Sequence, residues 1–338
     1  QVREYRASAP AYYWDSYGAL ESDLPEEHHS TAWIGREAME VINQWGEGGN
    51  LLFASFIKPH HPFDPPKPWS EMYDPDQLTL LPGWTPQTLD RDVDYHRGFF
   101  PHRELTERTL RQCMAYYYAT ISHIDHYVGQ MIERLKQRGL YEDTLIIYTS
   151  DHGEYMGFHH LLLKQNYMYD PLVKVPCMIK FPGEQQKGQK RDELTCNLDI
   201  AATLTAAAGT GTRQGDRWPG IDLSEPVIDR KFVFSELVGE GQYMVRSETH
   251  KLILCKDDRQ SVFFDLLKDP YELDNRYEDP AYCGLIAEHK AALHRMILFD
   301  SPAPVFLYEE TSQIQGRNQK SLIADREKLA DWVRGKMH

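Results

Sequence analysis

The chain has 338 residues, 41% of them hydrophobic and 26% charged, an ordinary globular composition with enough apolar material for roughly two domains. Acidic residues exceed basic ones by 51 − 37 = 14 and the basic residues are scattered, which argues against nucleic acid as a partner, since neutralising phosphates needs clustered Lys and Arg. No apolar run approaches the roughly 18 residues of a membrane span.

Residues 1–13 contain neither a start methionine nor an apolar stretch, so no signal peptide is visible there. Residues 51–57 (LLFASFI) form a continuous apolar run of strand length. The run passes into Lys58-Pro59-His60-His61-Pro62-Phe63-Asp64-Pro65-Pro66, where four prolines in residues 59–66 forbid a helix and predict a stiff, extended loop carrying His60 off the strand end. Residues 70–100, rich in Pro, Asp and aromatics, read as a long irregular excursion. Trp69, Trp84 and Tyr95 in and beside it are expected to pack it onto the domain, with stacking on a sugar or aryl ring as the other reading.

From Thr106 to Arg138 the period changes. Leu110, Met114, Tyr117, Ile121, Ile124, Val128, Met131 and Leu135 recur at steps of three and four, predicting one long helix with a single apolar stripe. Residues 144–149 read as a buried strand of the kind found in parallel sheets, and 175–181 as a second strand closed by Pro182-Gly183. Residues 199–208 predict a short helix. Beyond residue 215 short strand candidates at 232–237, 243–247, 251–256 and 262–266 predict a small antiparallel sheet, followed by a helix at 284–299. The expected organisation is an α/β domain over residues 1–215, a small antiparallel-sheet subdomain over 216–300, and a tail with a helix over 301–338. The five cysteines are widely spaced with no C-x-x-C pair, so a disulfide framework is not expected and most should be buried thiols.

The chemistry gathers at Ser150-Asp151-His152-Gly153-Glu154, directly after the strand at 144–149. Ligands of α/β sheets sit at the carboxyl ends of strands, and an Asp and a His there offer an oxygen and an imidazole to a divalent cation. Alone, such a pair is more often a cap and a satisfied core histidine. Here Lys164 follows Asp151 by thirteen positions, and His60 leaves another strand end. A cation, an ammonium and an imidazole at one sheet edge suit an anionic tetrahedral group.

The run 150–183 (SDHGEYMGFHHLLLKQNYMYDPLVKVPCMIKFPG) resembles the C-terminal half of the type I sulfatases, within the alkaline phosphatase superfamily. LLFASFIKPHHPFDPP resembles that family's "F…PH-x-P" stretch. YEDTLIIYTSDHG resembles its approach to the metal site, and VFFDLLKDPYELDNRY its C-terminal signature. The matches run in family order over residues 50–280. The resemblance implies an α/β fold, the alkaline-phosphatase-like central mixed sheet flanked by helices, here incomplete, with the small C-terminal subdomain. It implies that Asp151 and His152 are ligands of a divalent metal, calcium in most sulfatases. His60 and Lys164 would contact the ester, and the C-terminal signature would fix a turn. His159 and His160 fall where the family varies.

The family's nucleophile is a formylglycine made from Cys or Ser in C/S-x-P/A-x-R, and none of the five cysteines has that context. Ser8-Ala9-Pro10-Ala11-Tyr12 comes nearest, with Tyr12 where Arg should stand. The expectation is a sulfatase lacking its N-terminal portion, inactive alone, with apolar surface and an unpaired strand edge exposed. Its substrate would be a small-molecule or saccharide sulfate ester, and its partner the N-terminal segment or another subunit. The alternatives are a phosphonate monoester or phosphodiester hydrolase of the same superfamily, and a non-catalytic binding protein on a truncated hydrolase fold.

Overall fold

The computed structural model describes residues 11–86, 88–93, 104–164, 167–210, 220–226, 228–237 and 241–300. Tyr95, the boundary near residue 215 and the tail after 300 lie outside these. Helices are α1 (Ala11–Asp15), α2 (Ser30–Gln44), α3 (Asp90–Val93), α4 (Glu107–Gln137), α5 (Asp170–Val173), α6 (Asn197–Ala207) and α7 (Cys283–Arg295). Strands are β1 (Ile146–Thr149), β2 (Cys177–Lys180), β3 (Val233–Leu237), β4 (Gln242–Arg246), β5 (His250–Cys255) and β6 (Val262–Asp265).

The long helix forms where the apolar period demands. Thr106 caps it, its Oγ1 accepting the Thr109 amide proton at 3.2 Å. Its buried face differs from the predicted stripe: His123 and Tyr127 are buried, whereas Tyr117, Ile121 and Val128 are only half-buried. The cause is Glu26, whose Oε1 lies 3.0 Å from His123 Nε2 and accepts the Tyr127 hydroxyl proton at 2.7 Å, so these polar side chains enter the interface already partnered. Against this face packs α2, through Ala32, Ala38 and Ile42. The approach is close: a Cβ on Gly35 would lie 2.2 Å from the Tyr127 ring, so only glycine fits.

Residues 51–57 correct the strand reading. They run extended, with Leu52, Ala54 and Phe56 packed over the α2–α4 layer beside Ile146, but they pair with no strand among the described residues. Their other face is bare: Leu51 is 79% exposed, Phe53 87% and Ile57 61%. A single extended segment cannot satisfy its own backbone, so no ladder forms without a neighbour on either side. A second correction concerns β1, which pairs with β2 antiparallel rather than in a parallel sheet, Tyr148 opposite Met178.

The small sheet has order β3-β4-β5-β6, all antiparallel. One of its faces shares a core with the loop after β1: Met244, Ile253 and Phe264 pack on Tyr155, Phe158 and Tyr169. The other meets α7 at Ile286. All five cysteines are free, but only Cys113 and Cys255 are buried; Cys177 and Cys283 open a strand and a helix at the surface. No helix among the described residues is long and apolar enough to cross a membrane.

Candidate active site

The chain leaves β1 into a turn fixed almost entirely by its own short polar side chains. Ser150 Oγ donates to the His152 carbonyl at 2.8 Å, and Asn197 Nδ2, from the first residue of α6, donates to the Ser150 carbonyl at 3.2 Å. Asp151 points into solvent, its side chain 85% exposed, with Oδ1 accepting the His152 amide proton at 3.0 Å. The His152 ring lies with Nδ1 2.8 Å from the Gly153 carbonyl. A carbonyl only accepts, so Nδ1 carries a proton, and Nε2 lies 3.6 Å from Asp151 Oδ2. With Nδ1 donated to a carbonyl, Nε2 is the ring nitrogen left to meet a cation.

Gly153 seats the turn. Its amide donates to the Leu172 carbonyl at 2.7 Å, and a Cβ at this position would stand 1.9 Å from the Pro171 carbonyl oxygen, so no side chain can be accommodated while α5 stays in place. Glu154 then closes the following loop: Oε1 accepts the amide protons of Met156, at 3.2 Å, and of Leu163. Burial pushes its pKa up to about 7, against the pull of those two amides and of the Lys164 charge. Lys164, next to Leu163, is exposed and makes no hydrogen bond or ion pair among the described residues.

His60 sits on a loop with cis bonds at Lys58-Pro59 and His61-Pro62. Lys58 holds that loop from inside: buried, it donates to the Pro62 carbonyl at 2.7 Å and pairs with Asp64. His60 Nδ1 donates to the His61 carbonyl at 2.5 Å, which leaves Nε2 as an acceptor. Its pKa is lowered by burial first, then by the positive charges of Lys164, Lys58 and His152. Lys164 and His152 therefore both lie within electrostatic reach of His60, and Asp151 neighbours this group through His152. Nearly one hundred positions of chain separate His60 from this turn.

The other histidines do different work. His159 is buried between Asp92 Oδ2 and the Tyr271 carbonyl, 2.8 Å from each, and His160 lies 2.7 Å from the Thr85 carbonyl and stacks on Trp84. Trp69 stacks on His123, so Trp69 and Trp84 both pack the excursion down. Lys58, Asp64 and Glu154 escaped the sequence reading as site-building residues; the K-P-H-H-P-F-D spacing and the Glu after Asp-His-Gly were the available signals. Among the described residues no group of three or more His, Cys, Asp or Glu is placed to hold a metal ion. Asp151 and His152 offer two donors, whereas a calcium site takes six to eight.

The sulfatase family model matches residues 4–210. The chain belongs to the sulfatase family. This sulfatase chain is 28% identical over 275 residues to an arylsulfatase of Clostridium perfringens, covering 76% of this chain and 55% of that protein. It is 30% identical over 249 residues to a choline-sulfatase of Rhizobium meliloti, covering 68% of this chain and 46% of that one. A phosphonate monoester hydrolase from Silicibacter pomeroyi superposes with a TM-score of 0.69 at 24% identity, over 88% of this chain and 68% of that chain. The fold is thus the alkaline-phosphatase-like α/β fold of the sulfatases, with helices and small antiparallel sheets in the part described. The chain spans about half the length of these curated relatives.

Proposed function

We propose that this chain carries one side of a sulfate-ester hydrolase site, with Asp151 and His152 as ligands of a divalent cation and His60 and Lys164 as the groups that meet the ester. The observation that carries the reading is that His60, from a distant loop, lies within electrostatic reach of both His152, just after β1, and Lys164 in a sulfatase-family chain. A bound cation, calcium in this reading, supplies positive charge for the sulfate oxygens. Lys164, unpaired among the described residues, adds an ammonium to the same anion. His60 starts neutral, its Nε2 lone pair open. An anionic ester beside the ring raises its proton affinity, and the imidazolium so formed can deliver a proton to the leaving oxygen.

The nucleophile in this reading is a formylglycine outside these 338 residues, because no C/S-x-P/A-x-R sequence occurs within them. Arylsulfatase and choline-sulfatase relatives support a small sulfate ester as substrate. The test is equilibrium binding and turnover of 4-nitrophenyl sulfate with calcium present. The chain is expected to bind the ester without hydrolysing it, and Lys164→Ala and Asp151→Ala each to weaken binding roughly tenfold, about 1.4 kcal/mol. Binding untouched by both substitutions overturns the site reading. Robust turnover by the chain overturns the placement of the nucleophile, and preference for an aryl phosphonate monoester favours the phosphonate hydrolase alternative.

A further inference from the structure

Glu272 occupies a position its backbone does not favour. Its φ is 55°, the left-handed region, which costs a non-glycine residue about 1 kcal/mol, and it is fully buried. What it gains there is contact with the candidate site's supports. Glu272 Oε2 accepts the Asp170 amide proton at 2.7 Å, and Oε1 pairs with Lys251 Nζ at 2.7 Å. Lys251, itself fully buried on β5, also pairs with the Asp170 carboxylate and donates to the Met168 carbonyl at 3.3 Å. Arg246 of β4 adds a second cation 3.3 Å from Asp170. Asp170 opens α5, and α5 provides the Pro171 and Leu172 carbonyls on which Gly153 is seated.

The residue before it reaches the other segment. The Tyr271 carbonyl accepts a proton from His159 Nε2 at 2.8 Å, and His159 lies in the loop that Glu154 closes and that ends at Lys164. Two adjacent residues trailing the small sheet therefore touch both supports: the turn beneath Gly153 through the Glu272 side chain, and the Lys164 loop through the Tyr271 carbonyl. We propose that Tyr271-Glu272 is a positioning element for the candidate site, by which the C-terminal sheet sets the place of the Asp151-His152 turn relative to Lys164. The inference rests on the proposed function for what is positioned, and on the geometry alone for the coupling.

The coupling has a direct reporter, because the Gly153 amide proton is bonded to Leu172. Its hydrogen-exchange protection in the 338-residue chain is to be measured in Glu272→Gly, Glu272→Gln and Lys251→Met. The reference is Ile286→Val, which weakens the same sheet from its α7 side without touching Asp170. Glu272→Gly removes the carboxylate while relieving the backbone, and Glu272→Gln keeps an acceptor for the Asp170 amide. At matched global stability, Glu272→Gly is expected to lose roughly tenfold more Gly153 protection than Ile286→Val, with Glu272→Gln recovering part of it. Where Glu272→Gly does not fold, Lys251→Met carries the comparison, with the same loss expected. Equal loss at Gly153 in the network variants and in Ile286→Val overturns the proposal. Manganese affinity, measured in parallel, separates the two claims: if Asp151→Ala leaves it unchanged the cation reading fails, while the Gly153 exchange still decides the coupling.

Discussion

Lys58, which is buried, pairs with the half-buried Asp64 inside the very loop that presents His60. The pair closes a seven-residue span containing two of the loop's prolines, Pro59 and Pro62, and Lys58 also holds the Pro62 carbonyl. Burial raises the Asp64 pKa and the Lys58 charge pulls it back, so the carboxylate depends on its partner.

Lys58→Met is therefore expected to destabilise the chain by about 3 kcal/mol, the penalty of leaving one buried charge without its counterpart. The double variant Lys58→Met/Asp64→Asn should recover most of that loss. Urea denaturation of the three proteins checks it, and a double variant no more stable than the single one contradicts the pairing argument.

Gly153→Ala places a methyl 1.9 Å from the Pro171 carbonyl oxygen, so either the turn or α5 must move. A cost of about 2–4 kcal/mol is expected. Denaturant midpoints give the magnitude, and chemical-shift changes confined to residues 150–154 and 170–173 locate it.

His29 gives a pH dependence with a definite sign. It caps α2, its Nδ1 accepting the Thr31 amide proton at 3.2 Å, and burial together with the Lys58 and His123 charges lowers its pKa from 6.5 to about 4. The folded state thus binds fewer protons than the unfolded one between these values. The stability His29 contributes is present above pH 6.5 and is lost as the pH falls toward 4, a span worth about 3 kcal/mol. His29→Asn keeps a capping acceptor without titrating. Its Tm should fall less than the parent's between pH 6.5 and 4; parallel curves contradict the assignment.

Much of the fold was legible because long periods and turn residues are local signals. The helix at 107–137, the four small strands and α7 follow from the spacing of Leu110, Met114, Met131 and Leu135, and from alternation broken by turns. The helix Ser30–Gln44 was not anticipated, since its contact face is made of Ala32, Gly35 and Ala38, small residues that register weakly as an apolar stripe, and its cap is a histidine. Strand pairing was illegible for residues 51–57 because a ladder depends on a neighbour, not on the strand's own composition. Asp151, His152, His60 and Lys164 stood out by type and family spacing. Lys251, Asp170 and Glu272 did not, because a buried charge network is visible only once three distant segments meet.

The apolar face of residues 51–57 and the 60%-exposed Met178 of β2 predict association. A bare apolar edge pairs with whatever edge it meets. Sedimentation velocity should show concentration-dependent self-association of the chain, reduced by Phe53→Lys with no loss of Tm. A monomer at all concentrations contradicts this.

The central claim is that one site unites Asp151 and His152 with His60 and Lys164. Paramagnetic broadening by manganese tests it most directly, because it reads proximity even when binding is weak. On titration the His152 ring signals should broaden first, with those of His60 and Lys164 following in the same concentration range, and Asp151→Ala should abolish the effect at all three. Broadening centred on other residues, or unchanged broadening at His152 in Asp151→Ala, would contradict the account.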